Sequence, residues 1–241
     1  MMKENQTLEK LCEIVRQLRA EDGCPWDRVQ THESLRPCML EEAYELISSI
    51  RIYEETGNAE NLMEELGDVL LQVVMHAQIA TEEGLFSIED VIDAVSEKMI
   101  RRHPHVFSDG ERVEDALEQK NWDAIKKAEK EGKSWVKNPL DEVPKELPSL
   151  RRAEKVIKKI NQLYEPQPGE EDLLDQIIKS CTRLKENLPE NEEKEEISNI
   201  LFSIAGYTSS KKYYAEQMLL DRIEEKIKTI LENQGKKPIF P

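Results

Sequence analysis

The sequence predicts an all-α protein, a helical bundle in two halves. Three observations carry this. Aromatic residues make up only 5 % of the 241 residues against 35 % charged, with 9 glycines, a mixture that suits helices better than sheets. Apolar residues recur three and four apart through most of the chain, the period of a helix with one buried face. Period-two alternation, the mark of a half-buried strand, is nearly absent. The apolar fraction of 38 % is low but supplies helix–helix cores, and the length fits one large or two small domains.

The elements follow in order. Residues 7–20 predict a helix with Thr7 as N-cap and Leu8, Leu11, Cys12, Val15 and Leu18 as its stripe. The stretch EDGCPWDRVQT breaks the pattern with Gly23 and Pro25. A second helix starts near Thr31 or Ser34 and runs to about Glu55, with Pro37 in its first turn, where proline is tolerated. TGNAE is a turn, and Asn58 caps a third helix that ends near Gly84. Ser87 and Asp90 form a capping box that opens a fourth helix, Ile88 to Arg102. RHPHVFSDGER reads as a loop and 113–130 as a further helix. Residues 132–148 carry Pro139, Pro144 and Pro148 and read as a linker between the halves 1–131 and 149–241. Beyond it helices are expected at 149–163, 171–187, 190–209 and 211–233.

Two of these helices carry acid beside their apolar face. In MLEEAYELI, Met39, Leu40, Ala43, Leu46, Ile47 and Ile50 make one stripe, with Glu42 and Glu45 together on its edge. In LMEELGDVLLQVV, Leu62, Leu66, Val69, Leu70, Val73 and Ala77 make the stripe, and Glu65 and Asp68 hold the same phase. Antiparallel packing would bring the four carboxylates together at the rim of the core. Close anions repel and resist desolvation, so they require cations. Ligands that are all oxygen suit Mg²⁺ or Mn²⁺, and Mg²⁺ commonly carries phosphates with it. On phase alone, ordinary solvated glutamates are an equal alternative.

A weak internal repeat is visible. EELGDVLLQVV from Glu64 aligns with EEISNILFSIA from Glu195, and LEEAYELISSI aligns with IKSCTRLKENL. In this register Glu42 meets Ser180, Glu45 meets Arg183 and Asp68 meets Asn199; only Glu65 keeps its acid, as Glu196. The second half is expected to keep the helices and to lack the metal chemistry.

At GCPWDRVQTHESLRPCMLEEAYELISSI, MEELGDVLLQVVMHAQIA and KMIRRHPHVF the chain resembles the MazG nucleoside triphosphate pyrophosphohydrolases. The resemblance is dense over 8–130, and the remainder resembles a degenerate second MazG repeat. It implies an all-α bundle that assembles as a dimer and a Mg²⁺-dependent cleavage of (d)NTPs to (d)NMP and pyrophosphate. Glu42, Glu45, Glu65 and Asp68 would hold the metal, with Glu42 or Glu45 as general base. Glu41 and Glu64 fill the other acidic positions of the signature. Lys98 and Arg102 match a phosphate-contacting pair, and Trp122 and Lys126 a substrate-binding pair. The family pattern places a lysine four residues before Glu65; Asn61 stands there instead.

Several supporting residues have plain structural alternatives. Lys98, Arg101 and Arg102 also suit a helix C-terminus, where cations complement the dipole. Trp122 would be core without the resemblance, and Trp26 reads as structural. His76 borders the stripe as a core-edge histidine or as a partner of the acids. The net charge of −16 argues against a nucleic-acid partner. No apolar leader or membrane-length run is present, and Cys12, Cys24, Cys38 and Cys181 lack zinc or disulfide spacing, so a reduced cytoplasmic protein is expected. A narrower pyrophosphatase, dUTPase-like or acting on phosphoribosyl-ATP, and a regulatory or partner-binding helical dimer with a vestigial site are the competing functions.

Overall fold

The computed structural model describes residues 6–107, 129, 138–164 and 168–234. Every regular element among them is helical. The chain divides into two compact units, residues 1–131 and 132–241. No helix among the described residues is long and apolar enough to cross a membrane.

The first unit contains α1 (Leu8–Arg19), α2 (Pro25–Arg28), α3 (Arg36–Thr56), α4 (Glu60–Glu82), α5 (Ile88–Arg102) and α6 (Pro104–Phe107). Local chemistry sets their ends. Thr7 caps α1 by accepting from the Lys10 N–H. Pro37 lies in the first turn of α3. Gly57 ends α3 with φ 71°, a left-handed turn that glycine adopts without steric cost. The N-cap of α4 is Ala59, without a side-chain cap; Asn58, expected to cap it, lies one residue earlier and accepts from the Glu60 N–H at 2.8 Å. Ser87 and Asp90 form the expected capping box at α5. In GCPWD the Cys24 N–H donates to the Leu18 carbonyl at 2.7 Å, and a Cβ on Gly23 would lie 2.5 Å from that oxygen. Only glycine fits this tight return.

The segment expected to be a loop after Arg102 begins with a helical turn, α6. The His103 Nδ1–H donates to the Met99 carbonyl at 2.7 Å and helps to close α5 before it. The helix expected at 113–130 lies outside the described residues. Trp26, read from sequence as structural, is 58 % exposed; α2 is a single turn and its tryptophan points away from the core.

The buried core takes only part of the two stripes. Val15, Leu35, Val74, Met75 and Ile79 are its buried centre, with Leu11, Cys12, Cys38, Leu71 and Ile88 packed against it. It therefore lies at the C-terminal half of α4, where α1 covers the hairpin. The other half is bare: Leu40 and Leu66 are each 53 % exposed, and Ile47, Ile50 and Leu70 are exposed as well. Met39, Ala43, Leu46, Leu62 and Val69 are half-buried between α3 and α4. The acids thus border an apolar face that stands exposed among the described residues.

The second unit holds a 3₁₀ turn (Pro139–Glu142), α7 (Ser149–Leu163), α8 (Glu170–Arg183), α9 (Glu190–Ser210) and α10 (Ala215–Gln234). Val143, Ile157, Leu173, Ala205 and Ala215 are buried. Glu154, 3 % exposed, accepts from the Ala215 N–H at 2.6 Å and from the Arg151 guanidinium at 2.7 Å. A buried carboxylate here caps the start of α10 and is itself paired, as burial of a charge requires.

Candidate metal centre

α3 and α4 are consecutive, joined by a three-residue turn, and pack antiparallel. Glu42 and Glu45 lie one turn apart on α3; Glu65 and Asp68 lie one turn apart on α4. Antiparallel packing sets Glu45 against Glu65 and Glu42 against Asp68. One carboxylate oxygen from each of Glu42, Glu45 and Glu65 lies within 4.8 Å of the others. Asp68 is close enough that its charge acts on both Glu42 and Glu45, as does that of Glu41.

This crowding has electrostatic consequences. Partial burial raises the Glu42 carboxyl above its ordinary value, and Asp68, Glu45, Glu65 and Glu41 raise it further. Glu45 is raised by partial desolvation and then chiefly by Glu65. No lysine or arginine among the described residues pairs with any of the four. Glu65 carries a second signal. Its Oε1 accepts from the Asn61 amide at 2.7 Å, while its Oε2 is buried with no hydrogen-bond partner. A buried carboxylate oxygen without a donor is unfavourable unless a cation takes its lone pairs. The donors are all oxygen and all anionic, which suits a hard divalent cation such as Mg²⁺ or Mn²⁺.

Asn61 stands where the family resemblance implied a lysine. Its side chain orients Glu65 from one turn away and carries no charge toward a phosphate. The i, i+4 spacing of Asn61 and Glu65 was the signal available in the sequence.

The cationic residues are arranged separately. Lys98 and Arg102 sit on the last turns of α5, and Lys98 makes no ion pair among the described residues. Arg101 and Arg102 both hold Glu129, with Arg101 Nη2 at 2.7 Å and Arg102 Nε at 3.1 Å. Hydrogen bonds first from Arg102 and then from Arg101 lower the Glu129 carboxyl to about 2. No pattern in the sequence singles out Glu129. A carboxylate already seated on Arg102, whose Nε and Nη2 both donate to Glu129 Oε2, shows that the guanidinium can hold an oxyanion. Trp122 and Lys126 lie outside the described residues. Glu41 and Glu64 are exposed on the two acid-bearing helices.

In the second unit the aligned positions hold a different chemistry. Arg183 Nη1 lies 2.6 Å from Glu196 Oε1, and Arg183 Nη2 lies 3.0 Å from Glu192. A guanidinium thus neutralises the one acid that the alignment retains.

The MazG nucleotide pyrophosphohydrolase domain matches residues 30–107, the segment that contains α3, α4 and α5. The chain is 43 % identical over 198 residues to the nucleoside triphosphate pyrophosphohydrolase/pyrophosphatase MazG of Thermotoga maritima, covering 82 % of this chain and 74 % of that protein. It is 40 % identical over 153 residues to the nucleoside triphosphate pyrophosphohydrolase of Escherichia coli K12, covering 63 % of this chain and 56 % of that one. It is 50 % identical over 145 residues to the uncharacterized protein YabN of Bacillus subtilis, of which it spans only 28 %. With the acid-bearing hairpin inside the matched domain, and three quarters of the Thermotoga protein covered, the chain belongs to the MazG family of nucleotide pyrophosphohydrolases.

Proposed function

We propose that this chain hydrolyses ribo- or deoxyribonucleoside triphosphates to the monophosphate and pyrophosphate, with Mg²⁺ or Mn²⁺ held by Glu42, Glu45, Glu65 and Asp68, and so clears nucleotides from the cellular pool. The single observation that carries this reading is the convergence of the Glu42, Glu45 and Glu65 carboxylates, with one Glu65 oxygen buried and unpartnered. When bound, the cation supplies charge neutralisation and Lewis acidity at the phosphoryl oxygens.

The protein's own groups do the rest. Glu45 is exposed on the open side of the hairpin and its carboxyl is raised. A carboxylate oxygen there is placed to take the proton of an attacking water. Glu42 sits deeper and serves to hold the cation. Asn61 fixes the Glu65 carboxylate so that it need not reorganise as charge develops. Lys98 and Arg102 bind the triphosphate tail, with Arg102 exchanging Glu129 for phosphate oxygens, and Trp122 and Lys126 complete the substrate contacts. The protein's charge of −16 repels a polyanion, so these local cations and the metal must offset it.

We infer a homodimer from the same hairpin. Leu40, Tyr44, Ile47, Leu66 and Leu70 leave an apolar face beside the acids, a larger patch than scattered surface residues make. A second copy would cover it. Within the second unit, residues 149–241 serve as a degenerate repeat that packs and does not catalyse, with residues 132–148 leading into it from the first.

Incubation of the full chain with mixed NTPs and Mg²⁺ tests the reading: monophosphate and pyrophosphate should accumulate one to one. Orthophosphate with diphosphate, or no turnover at all, would instead favour a different hydrolase or a partner-binding protein with a vestigial site.

Two variants refine it. Lys98→Ala or Arg102→Ala should lower kcat/KM by about one to three orders of magnitude through lost charge-assisted hydrogen bonds. Wild-type kinetics in both would make the pair a mere helix terminus. Glu196→Ala should leave turnover within about twofold, as expected for a change remote from the site. A folded but inactive Glu196→Ala protein would place the second unit in the chemistry.

A further inference from the structure

We propose that His32 and His76 are positioning residues: a shared-proton imidazole pair that ties the core-packed end of the α3–α4 hairpin and keeps the two sets of carboxylates in register. Its kinetic consequences rest on the proposed function; the pair itself rests on geometry. The Nδ1 atoms of the two rings lie 2.8 Å apart, and the rings are within 5° of parallel. At that distance one Nδ1 must donate and the other accept. Both cannot carry a proton there, so the contact exists only while at least one ring is neutral. The Glu83 carboxylate lies 3.9 Å from His32 Nε2. It favours a proton on that nitrogen, which leaves His32 Nδ1 as the acceptor and His76 Nδ1–H as the donor.

The location gives the pair its role. The hairpin is closed at one end by the turn at Gly57–Ala59. At the other end α3 begins at Arg36, and His32 precedes it by four residues. His76 is eight residues beyond Asp68 on α4, about 12 Å along the axis at the helical rise. The pair therefore stands in the same antiparallel register as Glu42 with Asp68 and Glu45 with Glu65. The carboxylates sit between a covalent turn and the core-packed end, where this hydrogen bond adds to the buried cluster of Val15, Leu35, Val74, Met75 and Ile79. Their mutual repulsion tends to splay the hairpin, and the imidazole pair opposes that opening.

The surroundings make it the pH-labile tether. Arg19, 9 % exposed, donates to the carbonyls of Asp27 and Gln30 and to Glu82 of α4. The Arg19 hydrogen bond lowers the Glu82 carboxyl, so that link stays charged near neutrality. Glu33 is occupied by Arg36, and Glu83 faces His32. Burial, then the charge of His32, lowers the His76 imidazole below its ordinary value of 6.5. The unfolded chain therefore binds the proton more readily than the folded one. Stability from the pair is complete above pH 6.5 and is lost as pH falls from there through the lowered value.

The experiment compares wild type, His76→Phe, His32→Phe and His76→Asn. Pyrophosphate release is followed against pH and divalent concentration, and thermal midpoints are followed against pH with chelator present. His76→Phe should lower kcat and raise the half-saturating divalent concentration by about ten- to a hundredfold, the range for groups that orient metal ligands. The KM for NTP should change less than about threefold, since no phosphate contact is removed. His76→Asn offers an amide N–H near the same place but does not titrate. It should recover most of kcat, and the difference between its midpoint and that of wild type should change as pH falls below 6.5. Wild-type metal response in His76→Phe, or a wild-type midpoint profile in His76→Asn, overturns the proposal. If His76→Phe does not fold, His32→Phe, at the more exposed ring, and His76→Asn decide it. If wild type turns over no NTP, the functional reading fails, while the midpoint profiles still judge the pair.

Discussion

Glu65→Ala should lose about three orders of magnitude in turnover and gain stability in metal-free buffer. The two effects have one cause. The Glu65 carboxylate lies with those of Glu42 and Glu45, and one of its oxygens is buried without a donor. In the metal-free protein that oxygen is a cost: its desolvation is uncompensated and its charge opposes its neighbours. Alanine removes both penalties and keeps the helix, since alanine is the best helix former. In the working enzyme the same oxygen is a ligand, and removing a preorganised electrostatic group of this kind typically costs a factor of about 10² to 10³ or more. Urea unfolding with chelator present, beside pyrophosphate release with Mg²⁺, reads the two signs. A Glu65→Ala protein that is less stable without metal would show that Glu65 is a structural carboxylate.

Chelation should abolish activity, and divalent metal should stabilise the wild-type fold. A cation that binds only the folded state adds about 2.7 kcal/mol at a hundred times its Kd. The pH dependence without metal has a definite sign. Glu42 and Glu45 are raised above their ordinary value of 4.5, so the folded chain holds their protons more tightly than the unfolded chain. Their contribution is present below pH 4.5 and is lost as pH rises through the raised values. Metal should cancel that loss by neutralising the cluster. Melting curves between about pH 4 and 8, with EDTA and with Mg²⁺, should therefore diverge as pH rises. Parallel curves would contradict a cation at these residues.

The helices were legible because each is signalled by local chemistry. Thr7, Pro37, Asn58 and the Ser87–Asp90 box all act near where their residue types place them. The acid cluster was legible because phase along two helices fixes which residues share an edge. What covers the hairpin was not legible. A helical stripe says that a face is apolar; it does not say whether α1, a second copy or solvent lies against it. Hence Leu40 and Leu66 read as core yet stand exposed. Contacts between residues far apart in sequence were also hidden. His32 with His76, Arg19 with Glu82, and Arg102 with Glu129 join segments that no periodicity connects. Asn61 was visible as a departure from a family pattern, but its hydrogen bond to Glu65 needed coordinates.

The most direct test of the central claim is a titration of Mn²⁺ in which bound metal, read by electron paramagnetic resonance, and pyrophosphate release from NTP are recorded on the same samples. Wild type and Asp68→Ala are compared. If the α3–α4 carboxylates hold the cation that turnover needs, the two signals rise together in wild type, and both are lost in Asp68→Ala while its helical content stays intact. Undiminished turnover in Asp68→Ala, or turnover in wild type that precedes metal binding, would contradict the assignment.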